Sequence, residues 1–132
     1  MTHTSLDLAQ IAKAYAQAWS SKSPEAVAAF YAPNGQIEIN GGPALKGRAA
    51  IAEMAAGFYA AYPDLVVHCE ELRAAGDHAV FAWSLEGHHA ETGSYVRLAG
   101  WEEWDLDPEG RVQLSKGWFD AEDERRQIGQ AA

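Results

Sequence analysis

The chain has 132 residues, 48% of them hydrophobic and 22% charged, which fits one globular domain over residues 1–132 and excludes a disordered chain. The 10 basic residues against 19 acidic ones leave a net charge of −9, without the Lys/Arg clusters that phosphate binding needs, so nucleic acid is not an expected partner. No apolar run approaches the roughly 18 residues of a membrane span. The N-terminus MTHTSLDLAQ lacks the basic-then-apolar pattern of a secretory signal, and the one cysteine, Cys69, has no partner for a disulfide or a zinc site. A cytoplasmic location is the expectation, and the acidity reads as solubility.

Ser5 is placed to cap a helix whose apolar stripe is Leu8, Ile11, Tyr15 and Trp19, at helical spacing. Ser20, Ser21 and Ser23 interrupt it. Pro24 and Glu25 then open a short second helix carrying Val27, Phe30 and Tyr31. Pro33-Asn34-Gly35 reads as a turn. Residues 36–40 alternate with period two and predict a strand with one apolar face, ended by Gly41-Gly42-Pro43. A third helix is predicted over 48–62, with Ile51, Met54, Phe58 and Tyr62 as its stripe and Pro63 as its stop. Four strands follow, over 65–72, 79–89, 95–106 and 111–119, joined by short turns and therefore antiparallel. A final short helix is predicted over 121–128, capped by Asp120. Helices with one early strand, then a run of strands, indicate an α+β fold.

That order resembles the nuclear transport factor 2-like superfamily, with FYAPNGQIEINGGPALKGRAAI in the first half and GRVQLSKGWFDAEDERRQIG at the end. Within it the chain looks most like the SnoaL-like group, which includes polyketide cyclases; ketosteroid isomerase is a more distant relative. The likeness covers nearly the whole chain. It implies a conical fold, a strongly curved, mostly antiparallel sheet wrapped around three N-terminal helices, with an internal pocket. Alternation then sorts the strands. Phe81, Trp83, Leu85, Gly87 and His89 share one face, as do Leu98, Gly100, Glu102 and Trp104, and Ser115, Gly117 and Phe119. By similarity these sets line the cavity. The opposite faces keep Val80, Ala82, Trp101, Val112, Leu114 and Trp118, and the resemblance implies a homodimer through this outer face.

Glu102 is the leading candidate for chemistry. A carboxyl among apolar neighbours has its pKa raised by desolvation and can stay protonated as a hydrogen-bond donor. A strand slipped by one residue would instead turn Glu103 inward, and a buried carboxyl can also be purely structural. Tyr15 falls where ketosteroid isomerase has its catalytic tyrosine, and with Glu102 it would form an oxyanion hole; an aromatic at that spacing also suits a core. His89 at a strand end could move a proton or simply be solvated. The carboxylate base of ketosteroid isomerase has Ile39 at its matching position, and that of SnoaL-type cyclases has Gly117. Trp19, Met54, Phe58, Tyr62, Trp83, Leu85, Ser115 and Phe119 are the candidate ligand contacts. The function that the resemblance implies for these residues is an isomerase, cyclase or dehydratase acting on a small hydrophobic cyclic or carbonyl compound. It would use no cofactor, since no dinucleotide glycine motif or P-loop is present, and no metal, since no ligand set is. The alternatives are a non-catalytic binder with the same pocket and a dimeric structural module with a filled cone.

Overall fold

The computed structural model describes residues 5–129. The capping role read for Ser5 lies outside the described side chains. Helix α1 (Ser5–Ser20) buries Leu8, Tyr15 and Trp19 of the expected stripe, while Ile11 is only half-buried and Ala12 beside it is fully buried. Ser23 caps α2 (Pro24–Ala28), its side chain accepting from the Ala26 amide at 3.2 Å. Strand β1 (Tyr31–Ile39) starts earlier than the alternation indicates. Tyr31 belongs to this strand and not to the second helix, and Pro33-Asn34-Gly35 is no turn between elements but an irregular stretch inside β1. The chain there bulges between two paired points, Tyr31 against Val112 and Gln36 against Leu114. Gly35 makes the bulge possible: a Cβ on it would sit 2.7 Å from the Val112 carbonyl oxygen.

A two-residue strand, β2 (Leu45–Lys46), pairs with β1 and leads into α3 (Arg48–Ala61). Then come β3 (Val66–Ala75), β4 (His78–His88), β5 (Tyr95–Leu106), β6 (Val112–Phe119) and α4 (Ala121–Gly129). Asp120 caps α4 by accepting from the Asp123 amide at 3.0 Å. The six strands form one curved, unclosed sheet in the order β2-β1-β6-β5-β4-β3. Strands β3 to β6 run antiparallel, as their short turns require, while β1 and β6 run parallel. The arrangement is the α+β cone that the resemblance implies.

Register decides which side chains face the core. Along β4 and β5 the alternation is unbroken, so Phe81, Leu85, Leu98, Glu102 and Trp104 are all buried, while Glu103 is exposed. Along β6 it breaks once. Asp105 pairs with Leu114 and Leu106 with Val112, which leaves Gln113 unmatched. The extra residue reverses parity, so Val112 is 1% exposed and belongs to the core and not to the outer face. The outer face keeps Val80 and Trp101, which are 40% and 44% exposed.

Helix α4 carries no fully buried residue; Ile128 packs against the core, and the other contacts are polar. Beyond Phe119 residues 95–99 of β5 have no strand on their β6 side, and Gln127 takes that place: its amide oxygen accepts from the Arg97 N–H at 2.8 Å and its amide nitrogen donates to the Arg97 carbonyl at 2.9 Å. No helix among the described residues is long and apolar enough to cross a membrane.

Candidate active site

A narrow cavity of about 50 Å³ lies between the helices and the inner face of the sheet. Its floor is made by the buried residues Trp19, Ile37, Phe81, Glu102 and Gly117. The half-buried residues Ile39, Met54, Phe58, Trp83 and Phe119 mark where it opens, and Val67 and Leu85 complete the wall. Among the described residues Glu102 is the one ionisable side chain in this lining.

Local geometry explains why a carboxyl is tolerated there. Oε1 of Glu102 accepts from Ser115 Oγ at 2.8 Å, Trp104 Nε1 at 2.9 Å, Tyr15 OH at 3.2 Å and, more weakly, Tyr31 OH at 3.4 Å. Oε2 is reached by Tyr15 alone, at 3.3 Å. The two phenols lie 2.8 Å apart. Each has one proton: Tyr15 gives its own to the carboxyl, and Tyr31 shares its own between the Tyr15 oxygen and Oε1. The Tyr15 ring is fixed by edge contacts with Phe81 and Trp104, both at 5.3 Å, and with Phe30 at 5.5 Å. Phe81 and Trp104 in turn stack on each other at 5.2 Å. This packing aims the hydroxyl.

Burial pushes the Glu102 carboxyl above its ordinary range, and that desolvation outweighs the donors, which pull the other way. Burial and the adjacent Glu102 charge hold both phenols well above 10, so they stay protonated. Since Oε1 is crowded with donors, a proton gained by Glu102 goes to Oε2. The site is thus one carboxyl, poised by its surroundings, in an otherwise apolar chamber.

The candidate residues divide into three groups. Trp19, Met54, Phe58, Trp83, Leu85 and Phe119 line the cavity together with Glu102. Tyr15 and Ser115 touch Glu102 from behind and are absent from the lining. Tyr15 therefore donates to the carboxyl and does not stand beside it as a second oxyanion donor; it positions Glu102. The third group is Tyr62 and His89, whose rings meet at 5.7 Å away from the lining. Strand β4 ends at His88, and the His89 amide bonds Ser94 in the following turn while its Nδ1 meets Thr92 Oγ1 at 3.1 Å. The Tyr62 hydroxyl donates to Glu124 of α4 at 2.5 Å. Sequence reasoning missed Tyr31, Ile37 and Val67. Tyr31 carried a signal, since it precedes the alternating stretch of β1, but its spacing from Val27 suits a helix equally well.

Tyr15→Phe keeps the ring and removes the donor. The Glu102 carboxyl is expected to titrate at higher pH in this variant, with about 1–3 kcal/mol of stability lost, the range for a hydrogen bond to a charged or buried group. A carbon-13 titration of the Glu102 carboxyl checks it; an unchanged or lower midpoint contradicts the positioning role.

Fold and site together define a cone of the nuclear transport factor 2 type whose cavity holds a single buried acid. A family profile for the SnoaL-like domain matches residues 12–114, and the chain belongs to that family. No curated protein matches the sequence. Many solved structures resemble it, three of them as follows. A protein with a ketosteroid isomerase-like fold from Catenulispora acidiphila DSM 44928, in complex with trimethylamine, has a TM-score of 0.84 and 21% identity, with 91% of this chain and 92% of that one covered. The epoxide hydrolase/cyclase-like enzyme SalBIII, which has a role in pyran ring formation in the polyether salinomycin, has a TM-score of 0.78 and 20% identity, with 89% and 94% covered. A protein assigned as a SnoaL-like polyketide cyclase from Jannaschia sp. CCS1 has a TM-score of 0.81 and 15% identity, with 96% and 92% covered.

Proposed function

We propose that the chain is a cofactor-independent enzyme of the isomerase or cyclase type, acting on a small hydrophobic cyclic or carbonyl compound, with Glu102 as its proton-transfer group. The observation that carries this is the isolation of one hydrogen-bonded carboxyl on the floor of an apolar cavity. A single acid–base group restricts the chemistry to reactions that return the proton they take. In the simplest, the carboxylate removes a proton from one substrate atom and becomes a carboxyl at Oε2. It then gives that proton to another atom of the same molecule, so the product is an isomer. A cyclisation fits the same balance: the carboxyl protonates the leaving oxygen of a strained ring while a hydroxyl of the same molecule attacks, and the proton released returns to Glu102. Family membership and the similarity to a cyclase-like enzyme support this class.

A second reading, a non-catalytic binder of a small amine, is favoured by the carboxylate set among aromatic rings and by the trimethylamine in the similar Catenulispora structure. A thermal-shift screen separates the two, because a ligand of the native state raises Tm by mass action. Cyclic ketones, lactones and aromatic polyketide fragments form one arm and small alkylamines the other. A carbonyl hit that is turned over supports the enzyme. Hits confined to amines, unchanged after incubation, support the binder. In either reading the expected partner is a second copy across the outer face at Trp101 and Val80; a monomeric mass by light scattering contradicts it.

A further inference from the structure

Three glycines of the inner sheet differ in what a side chain on them would meet. At Gly35 a Cβ would collide with backbone at 2.7 Å, and at Gly100 with the Trp118 carbonyl oxygen at 2.2 Å. Those two are required by close approach of strands. Gly117 is not. A Cβ there would make ordinary contacts, 3.6 Å to Glu102 Cγ and 3.9 Å to the Glu38 carbonyl oxygen, and its φ is not in the left-handed region. Glycine in a strand interior is less stable than alanine, so the fold gains nothing from it here. Yet Gly117 is buried, lines the cavity and pairs with Glu102 across β5 and β6. What the missing side chain supplies is space against the carboxyl.

We infer that Gly117 is the specificity-determining position of the cavity: the polar end of the ligand seats over it, against Glu102, while the apolar body lies between Trp83, Phe119 and Phe58. The ligand class that fits is a compact ring with one hydroxyl or carbonyl oxygen at its edge. The ring fills the apolar walls, and the edge oxygen is the one atom that needs Glu102. A side chain at 117 would take the volume that this edge requires. The inference rests on Glu102 being the polar contact of the site, and its test keeps the two separable.

Benzene and phenol are titrated into wild type, Gly117→Ala, Gly117→Val and Glu102→Gln, with Trp fluorescence for affinity and calorimetry for Tm. Wild type is expected to bind both, phenol more tightly. Gly117→Ala weakens both about tenfold, and Gly117→Val abolishes binding, with Tm equal to or above wild type in each. Glu102→Gln keeps benzene and loses the preference for phenol. If both Gly117 variants bind like wild type, or wild type takes up neither probe, the space over Gly117 is not a ligand seat and the inference falls. A drop in Tm of several degrees in Gly117→Ala also overturns it, since the glycine would then serve the fold. If benzene behaves as described but the phenol preference survives Glu102→Gln, Gly117 stands and the role of Glu102 fails.

Discussion

Glu102→Gln is expected to lower turnover by roughly 10²–10⁴-fold, the usual contribution of a positioned acid or base, with a much smaller change in KM. The substitution keeps the size of the side chain and removes the exchangeable proton. No second ionisable group lines the cavity among the described residues, so nothing takes over the transfer. Turnover retained within a few-fold of wild type refutes the acid–base role. The same variant has a thermodynamic signature. The folded-state pKa of Glu102 lies above its ordinary 4.5, so between 4.5 and the raised value the folded chain binds this proton and the unfolded chain does not. Wild-type stability contributed by this group is therefore complete in acid and is lost as pH rises through that window, by at most about 1.4 kcal/mol per pH unit. Gln has no such dependence. Glu102→Gln should thus gain stability relative to wild type as pH rises from 4.5, and level off once the carboxyl has ionised in the folded chain. A difference that is flat, or that runs the other way, contradicts a burial-raised pKa.

Gly100→Ala is expected to destabilise the protein by about 3 kcal/mol, or roughly 10 °C in Tm, at the upper end of the range for overpacking. The new methyl would lie 2.2 Å from the Trp118 carbonyl oxygen and 2.6 Å from the Trp83 indole. The carbonyl belongs to the strand paired with Gly100, so β5 and β6 must separate or Trp83 must leave its seat. Trp83 stands at the cavity mouth beside Phe119, their rings 6.2 Å apart. Its displacement is expected to change ligand affinity as well as stability. Differential scanning calorimetry gives the first effect and the benzene titration the second. A loss below 1 kcal/mol with unchanged affinity would show that neither strand spacing nor Trp83 depends on this glycine.

The fold was largely legible because its strands keep period two over long stretches. β4 and β5 pair residue for residue from His78–Asp105 to His88–Tyr95, so alternation put Glu102 and Glu103 on opposite faces, and the resemblance named the Glu102 face as the inner one. Legibility ended where the period breaks. The unmatched Gln113 put Val112 on the wrong face, and the bulge in β1 disguised Tyr31 as the end of a helix. His89 has the right parity for the cavity, but the strand stops one residue before it, and parity means nothing beyond the last ladder bond. The site was half legible. The residues that carry it were in view, but the direction of a hydroxyl was not. Tyr15 sits on the expected helix face, and only the packing of Phe30, Phe81 and Trp104 around its ring turns it to Glu102 rather than toward a ligand.

The parallel pairing of β1 with β6 also sets an order of assembly. Strands β3 to β6 are neighbours along the chain and can zip together hairpin by hairpin. Apart from two-residue β2, the one sheet neighbour of β1 is β6, and more than half of the chain lies between the residues they pair, such as Ile37 and Ser115. Closing so long a loop is slow, and it must follow synthesis of β6. The donors to Glu102 come from both sides of that closure: Tyr15 and Tyr31 from the first quarter of the chain, Trp104 and Ser115 from the last. A nascent chain halted after Leu106 already contains the carboxyl and three of its donors, but β1 has no sheet to join. The cage around the acid is therefore complete only once β1 and β6 have paired.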